Sequence, residues 1–366
     1  MLEELWNNKS VIIRNYISIL RDNITGLITI LIILVLVIIY AYLRYQSFKP
    51  DLTAIETFTD PEPTNIIQQP PATLNYQITF INPGSQASKA LYMACNQDYL
   101  SGFNQPNIQA RGFDTKAELE RTYKTMIIPI TPAEEKDITS KLSSILYQIP
   151  STRLGKLSSW ISQASIAKGA HWLESGMPHT HANTMIMNTG WFVNPACSTY
   201  FHELFHIIQR NNPEQFHQLY TSAWNFIKVA GGPNTITGLE TQITLARMNP
   251  DANDFSWIWH DVTTSKYYWI NAIFTRADPA SLLAVQYLAY PLDGQTFRYL
   301  GSQPIELKNL SSFVNMFGIG YNHYHPNEIA SQYAEYYFMT THEPQEIKNK
   351  PAYLAFTNWL DNLAKL

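Results

Sequence analysis

His202-Glu203-Leu204-Phe205-His206 is the stretch on which the reading of this chain turns. Around it, Phe201, Leu204, Phe205 and Ile208 recur at i, i+3, i+4 and i+7, the apolar stripe of a buried helix. Asn194-Pro195 supplies a cap and a first-turn proline, and Asn211-Asn212-Pro213 a stop, so the spacing predicts a helix over 195–210. On that helix His202 and His206 lie one turn apart on one face, and both imidazoles can reach a single cation. Glu203 sits beside them, placed to take a proton from water rather than to bind the ion. Imidazole ligands and a coordination position left open for water suit zinc, so one catalytic Zn2+ is expected. With 10 His and 17 Glu in 366 residues, chance supplies roughly 0.01 such pentapeptides. The competing reading is two surface histidines on a core helix.

Composition bounds what surrounds this helix. Hydrophobic residues make up 45% and charged residues 15%, which is ample material for a core. Aromatics at 13% exclude a disordered or collagen-like chain. A net charge of −4 lacks the basic excess of a nucleic-acid binder, so no nucleic-acid partner is expected. Cys95 and Cys197 allow at most one bridge and no cysteine-rich zinc ribbon.

Asn23 to Leu43 carries 21 residues without a charge, and at ~1.5 Å per residue it spans roughly 30 Å, the thickness of a bilayer's hydrocarbon. Tyr40, Tyr42, Tyr45 and Arg44 at its trailing edge suit an interface. The run is too long for a cleaved signal peptide, and no small-residue cleavage site follows it. Residues 23–45 are therefore expected to be a single transmembrane anchor, with the lipid bilayer as a partner. Ile12, Tyr16, Ile17 and Leu20 give the preceding segment, 1–22, an amphipathic face. Lys9, Arg14 and Arg21 before the span outnumber Arg44 and Lys49 after it, which favours a cytoplasmic N-terminus and an extracytoplasmic or lumenal C-terminal domain. Pro50, Pro61, Pro63, Pro70 and Pro71 mark 46–73 as an extended tether. The Ile-, Asn- and Tyr-rich composition fits an AT-rich genome, viral genomes among them, and so a viral membrane.

The rest, 74–366, reads as mixed helix and strand. Thr131-Pro-Ala-Glu134 is a capping box opening a helix to about Tyr147. Thr184 to Asn188 is a β-rich run, Trp257–Phe274 and Leu282–Leu292 read as hairpins, and 213–229, 326–340 and the last fifteen residues read as helices.

The pentapeptide resembles the active-site motif of the zincin metallopeptidases, whose motif helix follows a strand edge that receives extended substrate. Metzincins need Gly and His where this chain has Gln209 and Asn212. Gluzincins take a third ligand, a glutamate, from a later helix. Tyr321-Asn-His-Tyr-His-Pro-Asn-Glu328-Ile-Ala-Ser-Gln-Tyr-Ala-Glu335 holds the best candidate. Asn327-Glu328-x-x-Ser331 resembles the third-ligand helix of thermolysin-like enzymes. Tyr321, seven residues before Glu328, is similar to a transition-state tyrosine of lethal-factor-like gluzincins.

The resemblance implies an α+β, zincin-like metallopeptidase domain behind a single transmembrane helix, acting as a membrane-anchored zinc endopeptidase on polypeptide substrate. Its metal ligands would be His202, His206 and Glu328, with Glu335, Glu240 and Asp261 as alternatives and Glu214 a further one. Gln332, where thermolysin-like enzymes carry an acid, or Glu335 would orient a zinc histidine. Glu203 would be the base and Tyr321 the oxyanion donor, with His323 and His325 as alternatives. Substrate would add as a strand along Thr184, Met185, Ile186, Met187 and Asn188, and His179 and His181 either line the cleft or build a loop. The other reading is a catalytically inactive zincin-fold membrane protein serving as an interaction module. An intact Glu203 argues against it. Oligomeric state has no signature in the sequence.

Overall fold

In the computed structural model the chain divides near residue 67, and the C-terminal unit, Gln68–Leu366, is described at residues 78–155, 157–318, 323–339 and 344–363. The expected amphipathic segment, anchor and tether lie outside the described residues. Among those described, no helix is long and apolar enough to cross a membrane.

One sheet contains β1 (Thr79–Ile81), β2 (Ile127–Ile128), β3 (Ser165–Gly169), β4 (His179–His181) and β5 (Thr184–Met187). Its order is β1-β3-β5-β4, with β2 also paired to β3. β1, β3 and β5 are parallel, and β4 runs antiparallel to β5. The second sheet is an antiparallel meander of β6 (Phe226–Lys228), β7 (Trp257–Asp261), β8 (Lys266–Phe274), β9 (Val285–Leu292) and β10 (Ile305–Glu306). The principal helices are α1 (Gln86–Asp98), α2 (Pro132–Leu146), α3 (Cys197–Asn211), α4 (Pro213–Ser222), α5 (Pro326–Phe338) and α6 (Pro351–Asn362). The architecture is α+β, as expected.

The first sheet is covered on both faces, which explains the unbroken apolar run Met185-Ile186-Met187 in β5. Met185 and Met187 of β5 join the core around α3, whereas Ile186 between them joins Leu91 and Cys95 of α1. Ile166 and Ala167 of β3 divide in the same way. Cys95 and Cys197 consequently fall in different clusters and form no disulfide.

The capping box forms as expected. Thr131 Oγ1 accepts from the Glu134 amide at 3.2 Å, and the Glu134 carboxylate accepts from the Thr131 amide at 2.9 Å. The motif helix starts two residues later than its sequence suggests, at Cys197. Asn188 caps a short helix at Thr189–Val193, and Trp191 Nε1 donates to the Ala196 carbonyl at 2.9 Å, so 194–196 becomes the joint between two helices. The helix expected over 213–229 stops at Ser222. Asn225 adopts a left-handed φ of 60°, which Asn tolerates better than most residues, and Phe226–Lys228 then pairs with β7.

A buried acid pins the entry to β4. Glu174 sits in a turn with φ of 45°, followed by Ser175 at 56°. Arg111 grips it through Nε–Oε1 at 3.0 Å and Nη2–Oε2 at 2.8 Å, while Tyr99 and Tyr123 donate their hydroxyls. Burial opposes this charge, but Arg111 outweighs it and holds the carboxyl down at about 2. The depressed value means the stabilisation is complete above the ordinary pKa of 4.5 and disappears as pH falls from there towards 2. Glu174→Gln is expected to lower stability at pH 7 by roughly 3 kcal/mol and to flatten the acid limb of the stability profile. Urea unfolding of the full chain from pH 7 to pH 3 measures both; an acid limb unchanged by the substitution contradicts the assignment.

Candidate metal centre

The seam between α3 and α5 brings together the two ends of the sequence argument. Phe201 of α3 stacks on Phe338 of α5 at 5.3 Å, and apolar residues of both helices share one core. That packing aims His202 and His206 at Glu328 in the first turn of α5. Glu328 Oε2 stands 3.5 Å from His202 Nε2 and 3.8 Å from His206 Nε2, with the imidazole centroids 4.9 Å apart. Donors around a four-coordinate zinc at ~2.0–2.1 Å stand roughly 3.4 Å apart, so both carboxylate–imidazole distances lie within a few tenths of an ångström of that spacing, and all three donor atoms lie within 4.8 Å of one another. Two imidazoles and one carboxylate are a zinc-type donor set. Glu328 is 2% exposed and its Oε2 has no hydrogen-bond partner, as befits an oxygen shaped for a cation.

The remaining ring nitrogens are held from behind. His206 Nδ1 lies 2.9 Å from Gln209 Oε1 and 3.0 Å from Ser331 Oγ, and Gln209 Nε2 donates to the Asn327 carbonyl at 2.8 Å. His202 Nδ1 faces Glu335 Oε2 at 3.7 Å. Glu335 therefore stands behind the His202 ring, where an orienting carboxylate would be. Gln332 makes no hydrogen bond to either imidazole; Gln209 and Ser331 meet His206 Nδ1 instead, one from three residues along α3 and the other from α5.

Charge follows this packing. Burial lowers the His206 pKa and so favours the neutral imidazole that a metal requires. Burial also disfavours charge on His202, but Glu328 and Glu335 outweigh it and raise that imidazole well above its ordinary value. For Glu328, burial is outweighed by His206 and His202, and the carboxyl falls below its usual range. Burial pushes Glu203 well above that range; His202 opposes the rise, while Asp251 and Glu328 add to it. Glu203 is 4% exposed and its Oε2 is unpartnered, poised beside the histidines.

Asp251 belongs to the site without any sequence signal. An oxygen of it, one of Glu203 and a nitrogen of His206 lie within 4.8 Å of one another. Its carboxylate accepts from the Thr180 amide at 3.0 Å, from the Thr180 hydroxyl, and from Arg210 Nη2 at 3.1 Å. Burial would raise its pKa; His206 and Arg210 instead hold it at about 2.

The substrate edge needs correction. β5 has β3 on one side and β4 on the other, so Thr184, Met185 and Ile186 are paired on both sides and present no free edge, while Met187 is paired with β3 alone. Asn188 is a helix cap, accepting from the Trp191 amide and donating to the Gly176 carbonyl. Periodicity shows that a strand is buried but not whether it is central. The strand outside β5 is β4, and there Asp251 already occupies the Thr180 amide. The His179 and His181 rings on this strand are buried, 5.3 Å apart.

Of the other candidates, Glu240, Asp261 and His325 make local structural bonds. Glu214 and Glu240 are exposed, with Glu240 bonded to the Gly238 amide. Asp261 closes the β7–β8 turn by accepting from the amides of Thr263 and Thr264. His325 caps α5, its Nδ1 accepting from Asn327 and its Nε2 meeting the Asp254 carbonyl at 3.1 Å, which uses both nitrogens and removes it as an oxyanion donor. His323 is buried against Tyr333, with Nδ1 3.4 Å from the Gly318 carbonyl. Tyr321 lies outside the described residues.

No family model, curated protein or solved structure matches this chain.

Proposed function

We propose that this chain is a zinc-dependent endopeptidase of gluzincin type, tethered to a membrane through residues 23–45 with its C-terminal domain extracytoplasmic or lumenal. The observation that carries the reading is the convergence of His202 Nε2, His206 Nε2 and a Glu328 Oε2 without a hydrogen bond, with a carboxylate oxygen of Glu203 close to His206. Zinc held by these three side chains would polarise a scissile carbonyl and acidify a water. Glu203 Oε2 would take that water's proton and pass it to the departing amine. Its environment suits both halves of the task, since burial favours the protonated form and His202 the ionised one. Asp251, fixed by Thr180 and Arg210, keeps negative charge next to Glu203 and strengthens its basicity. Tyr321 is the proposed oxyanion donor.

The test is hydrolysis of denatured casein by the purified full-length chain. Cleavage that stops with 1,10-phenanthroline and returns with added Zn2+ is expected. Cleavage indifferent to the chelator, or none with zinc supplied, contradicts the proposal.

A further inference from the structure

Glu328 has two oxygens, and the structure treats them differently. Oε2 faces the histidines without a hydrogen bond, whereas Oε1 accepts from Asn249 Nδ2 at 2.6 Å. Asn249 is itself held on two further sides. Its Nδ2 also reaches Tyr324 Oη at 2.9 Å, and its Oδ1 accepts from the Asp251 amide at 3.0 Å. Tyr324 is 1% exposed and stacks on Tyr287 at 5.3 Å, so this support does not swing away. The main chain on either side is anchored too: the Met248 amide donates to Asn107 Oδ1 at 2.8 Å, and Asn327 Nδ2 donates to the Asp251 carbonyl at 3.0 Å.

An amide donor fixed on one oxygen holds the carboxylate's plane and favours presenting the other oxygen alone to a cation. From this we infer that Asn249 is a positioning residue that makes Glu328 a one-oxygen ligand, leaving a coordination position open beside Glu203. The inference rests on the zinc reading above and adds a residue from the loop between Leu245 and Trp257, which no sequence pattern marks. Loss of such a supporting hydrogen bond typically costs ~10–100-fold in metal affinity.

The experiment is zinc affinity of the full-length chain, by competition with a chromophoric chelator, for wild type, Asn249→Ala, Asn249→Leu, Glu328→Ala and the Asn249→Ala/Glu328→Ala pair. Cobalt(II) spectra are recorded alongside, because a change from one-oxygen to two-oxygen ligation raises the coordination number and weakens the visible bands. Both single Asn249 variants should bind zinc ~10–100-fold more weakly than wild type, with altered cobalt bands. In the Glu328→Ala background the Asn249 change should have almost no further effect, since its target is gone. The leucine variant fills the space of the amide and keeps the loop packed if the alanine variant loosens it. Wild-type affinity in both Asn249 variants overturns the inference. So does an equal loss with and without Glu328, which identifies Asn249 as a support of the loop alone. A wild type that binds no zinc overturns the parent reading, and the inference with it.

Discussion

Glu203→Gln is expected to lower peptide hydrolysis by about 10²–10⁴-fold, the usual contribution of a general base, while zinc binding stays at the wild-type level. The reason is positional. The donor atoms that converge are on His202, His206 and Glu328, and a carboxylate oxygen of Glu203 lies within 4.8 Å of a His206 nitrogen. Glutamine keeps the size of the side chain and removes its capacity to take a proton. Burial already favours the uncharged form of Glu203, so the neutral replacement should not destabilise the fold. Steady-state cleavage set beside bound zinc separates the two roles. Comparable activity in Glu203→Gln would remove Glu203 from the chemistry, and loss of zinc would make it a ligand.

Glu328→Ala should fail in the other way. It deletes the only carboxylate of the three-donor set and leaves two imidazoles, so zinc affinity should drop by more than the ~100-fold that loss of a mere supporting group costs, and activity with it. The variant also removes the carboxylate that most opposes the effect of burial at His202, whose imidazole should then titrate lower. His202→Ala and His206→Ala should share the loss of metal. Neither Glu240 nor Asp261 can compensate: one is exposed and bonded to Gly238, the other closes a turn.

What the sequence revealed and concealed follows from the range of the interactions. The motif helix was legible because its apolar stripe and its two histidines obey a single local period. Glu328 was legible because Asn327 and Ser331 travel with it, and Ser331 does meet His206. Asp251 and Asn249 were not, because both lie in a loop whose path is set by Asn107, Thr180 and Asn327, each far away along the chain. Glu174 was hidden likewise, since nothing local announces that Arg111, Tyr99 and Tyr123 will meet it. The misplaced substrate edge has a related cause: Thr184 to Met187 has the composition of a buried strand, but only the pairing of His179 to His181 decides which strand is outermost.

The most direct test of the account is zinc per full-length chain after exhaustive dialysis against metal-free buffer, compared between wild type and Glu328→Ala. One equivalent in the wild type and almost none in the variant is the predicted result. A wild type without zinc, or a Glu328→Ala chain that keeps a full equivalent, would contradict it.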